Sequence, residues 1–252
     1  KDATVPKREI AESIYPKLAR KEKGVQLFFG EDHEFLRPKG VVSLKIMFPK
    51  DKMDINHRVY SKLYTACVNE SLNELSYPAK QAGLNYTIRE GYEGVYIDIS
   101  GYKESAMSLY ELIVEHLVNF SITDNQFLAI KDKIVRDYEN FSLSDAHQQT
   151  REMSPDILWN MKFTWRESLP VAEKATLASV KAYSRNLYEK TFLEAMVYGD
   201  LDENDANVVV DLFKEKTKTE GLLRDQVFDL QYLSMDYPED IQYSAKLRVN
   251  NS

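Results

Sequence analysis

One cysteine and four histidines are all the thiol and imidazole that the 252 residues offer. Cys67 therefore has no partner for an internal disulfide, and a four-cysteine zinc site is excluded. With so little cysteine the redox character of the compartment stays open, and periplasm and cytoplasm both fit. No window approaches the roughly 18 continuous apolar residues of a membrane helix, so no membrane span is expected. An excess of positive charge is missing too. The 33 Lys and Arg stand against 40 Asp and Glu, and the net charge of −7 argues against a general nucleic-acid binder. Glycine and proline are sparse, at nine and eight residues, which sets aside collagen-like and low-complexity chains.

What is present suits a globule, with 43% hydrophobic and 29% charged residues. The length allows one large domain, or one domain with appendages. Residues 1–24 hold seven Lys and Arg and four Asp and Glu. Within them Lys17–Gly24 is polar with little periodic apolar content and reads as an incoming connector. Beyond Lys218 the periodicity weakens, and Gln226–Tyr243, with Pro238, reads as an extended connector. The chain starts without Met, and Leu247–Ser252 opens an extended segment that has no continuation, so both ends read as cut from something longer. The expected division is a connector over 1–24, one module over 25–218, and a connector over 219–252 toward a following module.

Inside the module, Val25–Phe29 and Val41–Phe48 alternate as strands, with Val42, Leu44, Ile46 and Phe48 on one face. Apolar residues at spacings of three and four, including Tyr60, Leu63, Tyr64, Cys67, Val68, Leu72 and Leu75, predict a helix over 57–79. Leu84–Ile88 and Val95–Ile99 flank Gly91 and Gly94 as a hairpin. A helix over 105–120 follows, and then one opened by Thr123 and Gln126 at capping-box spacing, with Ile122 and Phe127 as its hydrophobic staple. Ser154-Pro155 reads as a cap and first position of a short helix carrying Trp159 and Phe163, and 166–170 reads as a break. A helix over 177–189, a strand over 191–198 and a helix from Asp202 complete the pattern. The sum predicts an α+β fold: two layers, a mostly antiparallel sheet with helices packed on one face.

Chemistry is harder to find. His33, His57, His116 and His147 are never closer than 24 positions, so no helix presents two imidazoles one turn apart. Leu112-Ile-Val-Glu-His116 comes nearest to H-x-x-E-H, but Leu112 stands where the first histidine is needed. Cys67 lies in an apolar stripe and reads as a small buried hydrophobe. Ser100-Gly-Tyr-Lys103 matches S-x-x-K, without the Ser-Asp-Asn and Lys-Thr-Gly motifs that accompany it in penicillin-recognising enzymes. Glu203 and Asp205 read as charge at a helix N-terminus. Neither a nucleophile elbow nor a phosphate-binding glycine loop occurs. No residue is assigned as catalytic, cofactor-binding or metal-ligating.

One passage is more specific: Leu72-Asn-Glu-Leu-Ser-Tyr77-Pro-Ala79-Lys-Gln-Ala82-Gly83-Leu84-Asn-Tyr86, with Gly94 and Gly101-Tyr102-Lys103 after it. It resembles the middle, third-domain region of the pitrilysin/insulysin (insulinase) family of zinc metallopeptidases, where a long helix ends in a similar N-E-x-x-Y-x-A-x-x-A-G-L passage. Leu27-Phe-Phe-Gly, Phe35-Leu-Arg-Pro38-Lys39, Ala146-His-Gln-Gln149 and Tyr198-Gly199-Asp200 agree in order and spacing, so the resemblance runs from about Val25 to Lys218. The matched residues suit a scaffold, and Gly83 in particular suits a left-handed helix cap.

The resemblance implies a parent of four homologous α+β modules that close around an unfolded peptide. Zinc and the general-base Glu are expected on the H-x-x-E-H helix of the parent's first module. In this chain the corresponding helix reads Val59-Tyr-Ser-Lys-Leu-Tyr-Thr-Ala66. A noncatalytic structural module of a peptide-degrading zinc endopeptidase is expected, inactive alone and without a cofactor of its own, helping form the C-terminal half of the chamber. Its partners would be the other modules of the same chain, with contact to peptide substrate. The alternative is a noncatalytic binding or assembly subunit paired with a separate active peptidase.

Overall fold

The computed structural model describes residues 15–33, 37–160, 162–232 and 234, and within them every side chain except those of 75, 76, 152 and 154–157. Positions 1–14 of the expected incoming connector, Phe35 and Leu36, the Leu75 side chain, and 235–252 with the closing Leu247–Ser252 segment lie outside the described residues.

One sheet is built from β1 (Lys17–Glu22), β2 (Val25–Glu31), β3 (Lys39–Met47), β4 (Asn85–Glu90), β5 (Gly94–Tyr102), β6 (Lys190–Gly199) and β7 (Glu220–Gly221), with apolar and polar residues alternating along β3 and β5. The strand order is β1-β2-β6-β3-β5-β4, with β7 also paired to β6. β3 is antiparallel to both β5 and β6, and β4 to β5, whereas β2 and β6 run parallel. Val42, Leu44 and Ile46 of β3 are buried under the helices, as period two requires. On the opposite face Ser43 Oγ donates to Asp98 Oδ1 at 2.8 Å, and Lys45 Nζ meets Glu93 Oε2 at 2.7 Å. That face has a small apolar patch of its own, Met47 and Phe192 beneath Leu222 and Val227.

The helices are α1 (Ile55–Ser71), α2 (Asn73–Gln81), α3 (Lys103–Val118), α4 (Asp124–Phe141), α5 (Ala146–Leu158), α6 (Trp165–Lys174), α7 (Leu177–Leu187) and α8 (Glu203–Thr217). α1, α3 and α8 pack on the sheet, and α4 and α6 pack against α1, which gives the expected α+β architecture. Polar groups taken into this core are matched. Tyr64 donates its hydroxyl to the Leu117 carbonyl at 2.6 Å and sits 2.8 Å from the Tyr188 hydroxyl, and Tyr110 donates to the Val209 carbonyl at 2.6 Å.

Several local readings hold in detail. Gln126 N–H donates to Thr123 Oγ1 at 3.3 Å and Thr123 N–H to Gln126 Oε1 at 2.9 Å, closing the capping box of α4 over buried Ile122 and Phe127. Gly83 has φ +77°, the left-handed cap that ends α2 and turns the chain into β4.

Other readings are corrected. The helix expected over 57–79 is two helices, because Ser71 Oγ donates back to the Val68 carbonyl and the Leu72 N–H divides between the Val68 and Asn69 carbonyls. Ser154-Pro155 does not open a helix, since α5 runs through it to Leu158. The expected break at 166–170 is instead the body of α6. Its start is fixed by Glu167 Oε2, which accepts from Thr164 N–H at 2.9 Å and from its hydroxyl at 2.7 Å. Lys17–Glu22, read as connector, forms β1. An edge strand exposed on both faces needs no alternation, so its sequence carries no strand signal.

Candidate functional site

The residues flagged for chemistry are distributed over the fold. Cys67 is fully buried, and burial pushes its thiol up to about 12, so it stays protonated and inert. Lys103, the lysine of S-x-x-K, is held by Asp205 at 2.7 Å and Asp202 at 3.3 Å. Asp205 also caps α8, where its carboxylate accepts from the Asp202 N–H at 2.9 Å. Glu203 lies in the same first turn. His33 follows β2, His57 is in the first turn of α1, His116 in the last turn of α3 and His147 in the first turn of α5. Among the described residues, no three His, Cys, Asp or Glu side chains come together as a metal site. No helix among them is long and apolar enough to cross a membrane.

The fold creates one pair that the sequence did not announce: Ser71 Oγ lies 2.9 Å from His116 Nδ1. A nucleophilic serine gives its proton to the imidazole, but Ser71 donates to the Val68 carbonyl at 2.7 Å. His116 is therefore the donor, and the pair ties α3 to α1 rather than activating a hydroxyl.

One concavity lies on the outer side of α1. α4, α5 and α6 meet there in a cavity of about 290 Å³. Its walls are rings and cations. Tyr92 comes from the β4–β5 turn, Tyr138 and Phe141 from α4, and Phe163 and Trp165 from the approach to α6. Among the described residues, Lys62, Lys162 and Arg166 line it beside one carboxylate, Asp137, in a chain whose net charge is −7.

Each side chain is placed by an identifiable local cause. The α1 cap, with Asp54 Oδ1 accepting from His57 N–H at 2.7 Å, sets the phase in which Arg58 and Lys62 point outward while Leu63 and Tyr64 point in. Lys131 of α4 donates to the Glu173 and Ala175 carbonyls at 2.5 and 2.8 Å, fastening the C-terminal end of α6 to α4. Gln149 is buried, and its Nε2 donates to the Ser142 and Ser144 carbonyls, which fixes α5 against the end of α4. Burial pulls the Lys62 ammonium below its ordinary range, opposed by the attraction of Glu90 and Asp137. Its Nζ lies over the Tyr138 ring, 4.6 Å from the centroid. Lys62 also borders a polar groove of about 640 Å³ between α1, α4 and β4, shared with Asn69, Glu70 and Gln126. From sequence Tyr138 and Phe141 fall in the apolar stripe of the helix after Thr123, Gln149 in the family-like passage and Phe163 in an expected helix, but none is read as a pocket residue, because the lining comes from five separated segments.

Comparison with known proteins places this geometry. Residues 1–171 match the family model described as the middle or third domain of peptidase M16. The insulin-degrading enzyme of Bos taurus is 27% identical over 244 residues, covering 94% of this chain and 24% of that one. The chain thus spans about a quarter of the length of that relative. The crystal structure of pitrilysin superposes with a TM-score of 0.76 at 20% identity, over 83% of this chain and 22% of that one. The peptidase M16 inactive domain from Pseudomonas fluorescens gives 0.62 at 15% identity, over 79% of this chain and 50% of that one. At these identities the two structures show a shared fold.

Proposed function

Because this chain belongs to the peptidase M16 family, as its middle or third domain, we propose that it is a noncatalytic module of a zinc-dependent endopeptidase that degrades peptides. In this reading it helps form the C-terminal half of the chamber that encloses the substrate. The observation that carries the proposal is the middle-domain match itself, over residues 1–171. The sequence of α1 supports it: where a catalytic module would carry H-x-x-E-H, this helix reads Val59 to Ala66 and turns Val59, Leu63 and Tyr64 into the core. Residues 25–218 are the module, and 1–24 and 219–252 lead to and from its neighbours while lending β1 and the Leu222–Phe228 segment to its surface. Zinc belongs to the parent's first module.

A second reading, an assembly subunit that pairs with a separate active peptidase, is favoured by the likeness to a Pseudomonas fluorescens chain described as inactive. The parental reading frame separates the two. An H-x-x-E-H upstream in the same chain supports the first reading, and its absence the second. Metal analysis and peptide cleavage, run on the parent and on the 252-residue chain, test the noncatalytic assignment. Zinc and turnover are expected in the parent alone. Stoichiometric zinc in the short chain, with cleavage lost on His116→Ala, overturns it.

A further inference from the structure

Arg58 and Lys62 stand one turn apart on α1, and ring faces hold both. The Arg58 guanidinium lies 4.5 Å from the Tyr92 centroid and the Lys62 ammonium 4.6 Å from that of Tyr138. Among the described residues neither forms an ion pair, and Arg58 Nη1 is buried without a hydrogen-bond acceptor. Several partly covered cations elsewhere are paired with carboxylates: Arg20 with Glu22 and Asp211, Lys45 with Glu93, Lys216 with Glu115. Glu90 and Asp137 attract the Lys62 ammonium without pairing with it among the described residues, and a cation withdrawn from water toward a ring keeps a capacity to attract an anion, because the ring quadrupole only partly replaces hydration.

The cavity beside Lys62 has the size and lining to supply that anion on an aromatic carrier. Its volume of about 290 Å³ suits one ring and its substituents rather than a length of extended peptide. Tyr138, Phe141 and Trp165 offer faces and edges for ring packing, and Lys62 borders the same space. We propose that this pocket is a binding site for an arylalkyl carboxylate, the α-carboxylate and neighbouring ring that a peptide ending in an aromatic residue presents, with the ring among Tyr138, Phe141 and Trp165 and the carboxylate on the Lys62 ammonium. Binding here requires neither zinc nor cleavage, so it stands or falls apart from the module reading.

The test is calorimetric titration of the 252-residue chain with N-acetyl-L-phenylalanine, its neutral C-terminal amide, and acetate. The acid is expected to bind about tenfold more tightly than either of the others, because the amide lacks the charge and acetate lacks the ring. Lys62→Met should erase the preference of acid over amide, and Lys62→Arg should keep it. Equal binding of acid and amide, a preference that survives Lys62→Met in a folded variant, or no binding of the acid overturns the proposal. Should Lys62→Met fail to fold, the comparison of acid with amide on the unaltered chain and on Lys62→Arg decides alone.

Discussion

The two sides of α1 differ in how they treat polarity. On the inner side Tyr64, buried completely, has its hydroxyl committed to the Leu117 carbonyl and the Tyr188 hydroxyl, and Leu63, Cys67 and Val68 fill the space around it. On the outer side Lys62 and Arg58 are drawn toward rings, and among the described residues neither forms an ion pair, although Glu90 and Asp137 attract the Lys62 ammonium. Every polar atom named on the inner side stabilises the fold through a matched partner. The outer side keeps charge in reserve. One helix thus separates holding the domain together from offering a surface, and the separation runs between adjacent residues, Lys62 and Leu63.

The largest expected effect is on the inner side. Leu63→Ala removes a fully buried side chain and should lower unfolding free energy in urea by about 2–5 kcal/mol, and a loss below about 1 kcal/mol would contradict the packing.

His57 comes next, at the start of the same helix. Burial pulls its imidazole down to about 4, outweighing the opposing attraction of Asp54, while Phe48 packs edge-on at 5.3 Å and the Tyr183 hydroxyl lies 3.1 Å from Nδ1. In the unfolded chain the ring takes its proton near 6.5, so between about 6.5 and 4 the unfolded state binds more protons. Stability contributed by the neutral ring is therefore complete above 6.5 and falls as pH drops to about 4, by on the order of 3 kcal/mol. Urea midpoints across that range should show a shallower slope in His57→Phe, and an unchanged slope would place the titration elsewhere.

The smallest effect should be on the outer side. Lys62→Met trades a partly desolvated charge for an apolar chain of similar length, and its unfolding free energy should stay within about 0.5 kcal/mol of the original. A loss as large as that of Leu63→Ala would erase the contrast between the two sides.

The fold was legible where a few neighbouring residues decide the conformation. The Thr123 and Gln126 box, the Gly83 cap and the β4–β5 hairpin each follow from contacts within a handful of positions. It was illegible where two local answers share one signature. A proline after serine is as compatible with a helix start as with the continuing α5, and α2 and α6 likewise contain Pro78 and Pro170. The Thr164 and Glu167 box uses the same chemistry as Thr123 and Gln126, but its Glu167 fell in the stretch 166–170 read as a break. The pocket could not be read at all. Lys62 and Tyr138 each carry a helix pattern, and only packing of α4 on α1 puts the ammonium over the ring.

The place of β6 bears on how the chain reaches this structure. Val25 pairs with Leu193 and Val42 with Val197, so the strand that joins β2 to β3 is made after nearly everything else in the module. Without Lys190–Gly199 the strand order divides into β1-β2 and β3-β5-β4, each with an open inner edge. Local hairpins form early, but the central closure waits on contacts of long sequence separation, the class that slows folding and leaves edges exposed to other chains. The last third of the sequence therefore acts as the keystone of a sheet whose outer pieces are complete long before it arrives.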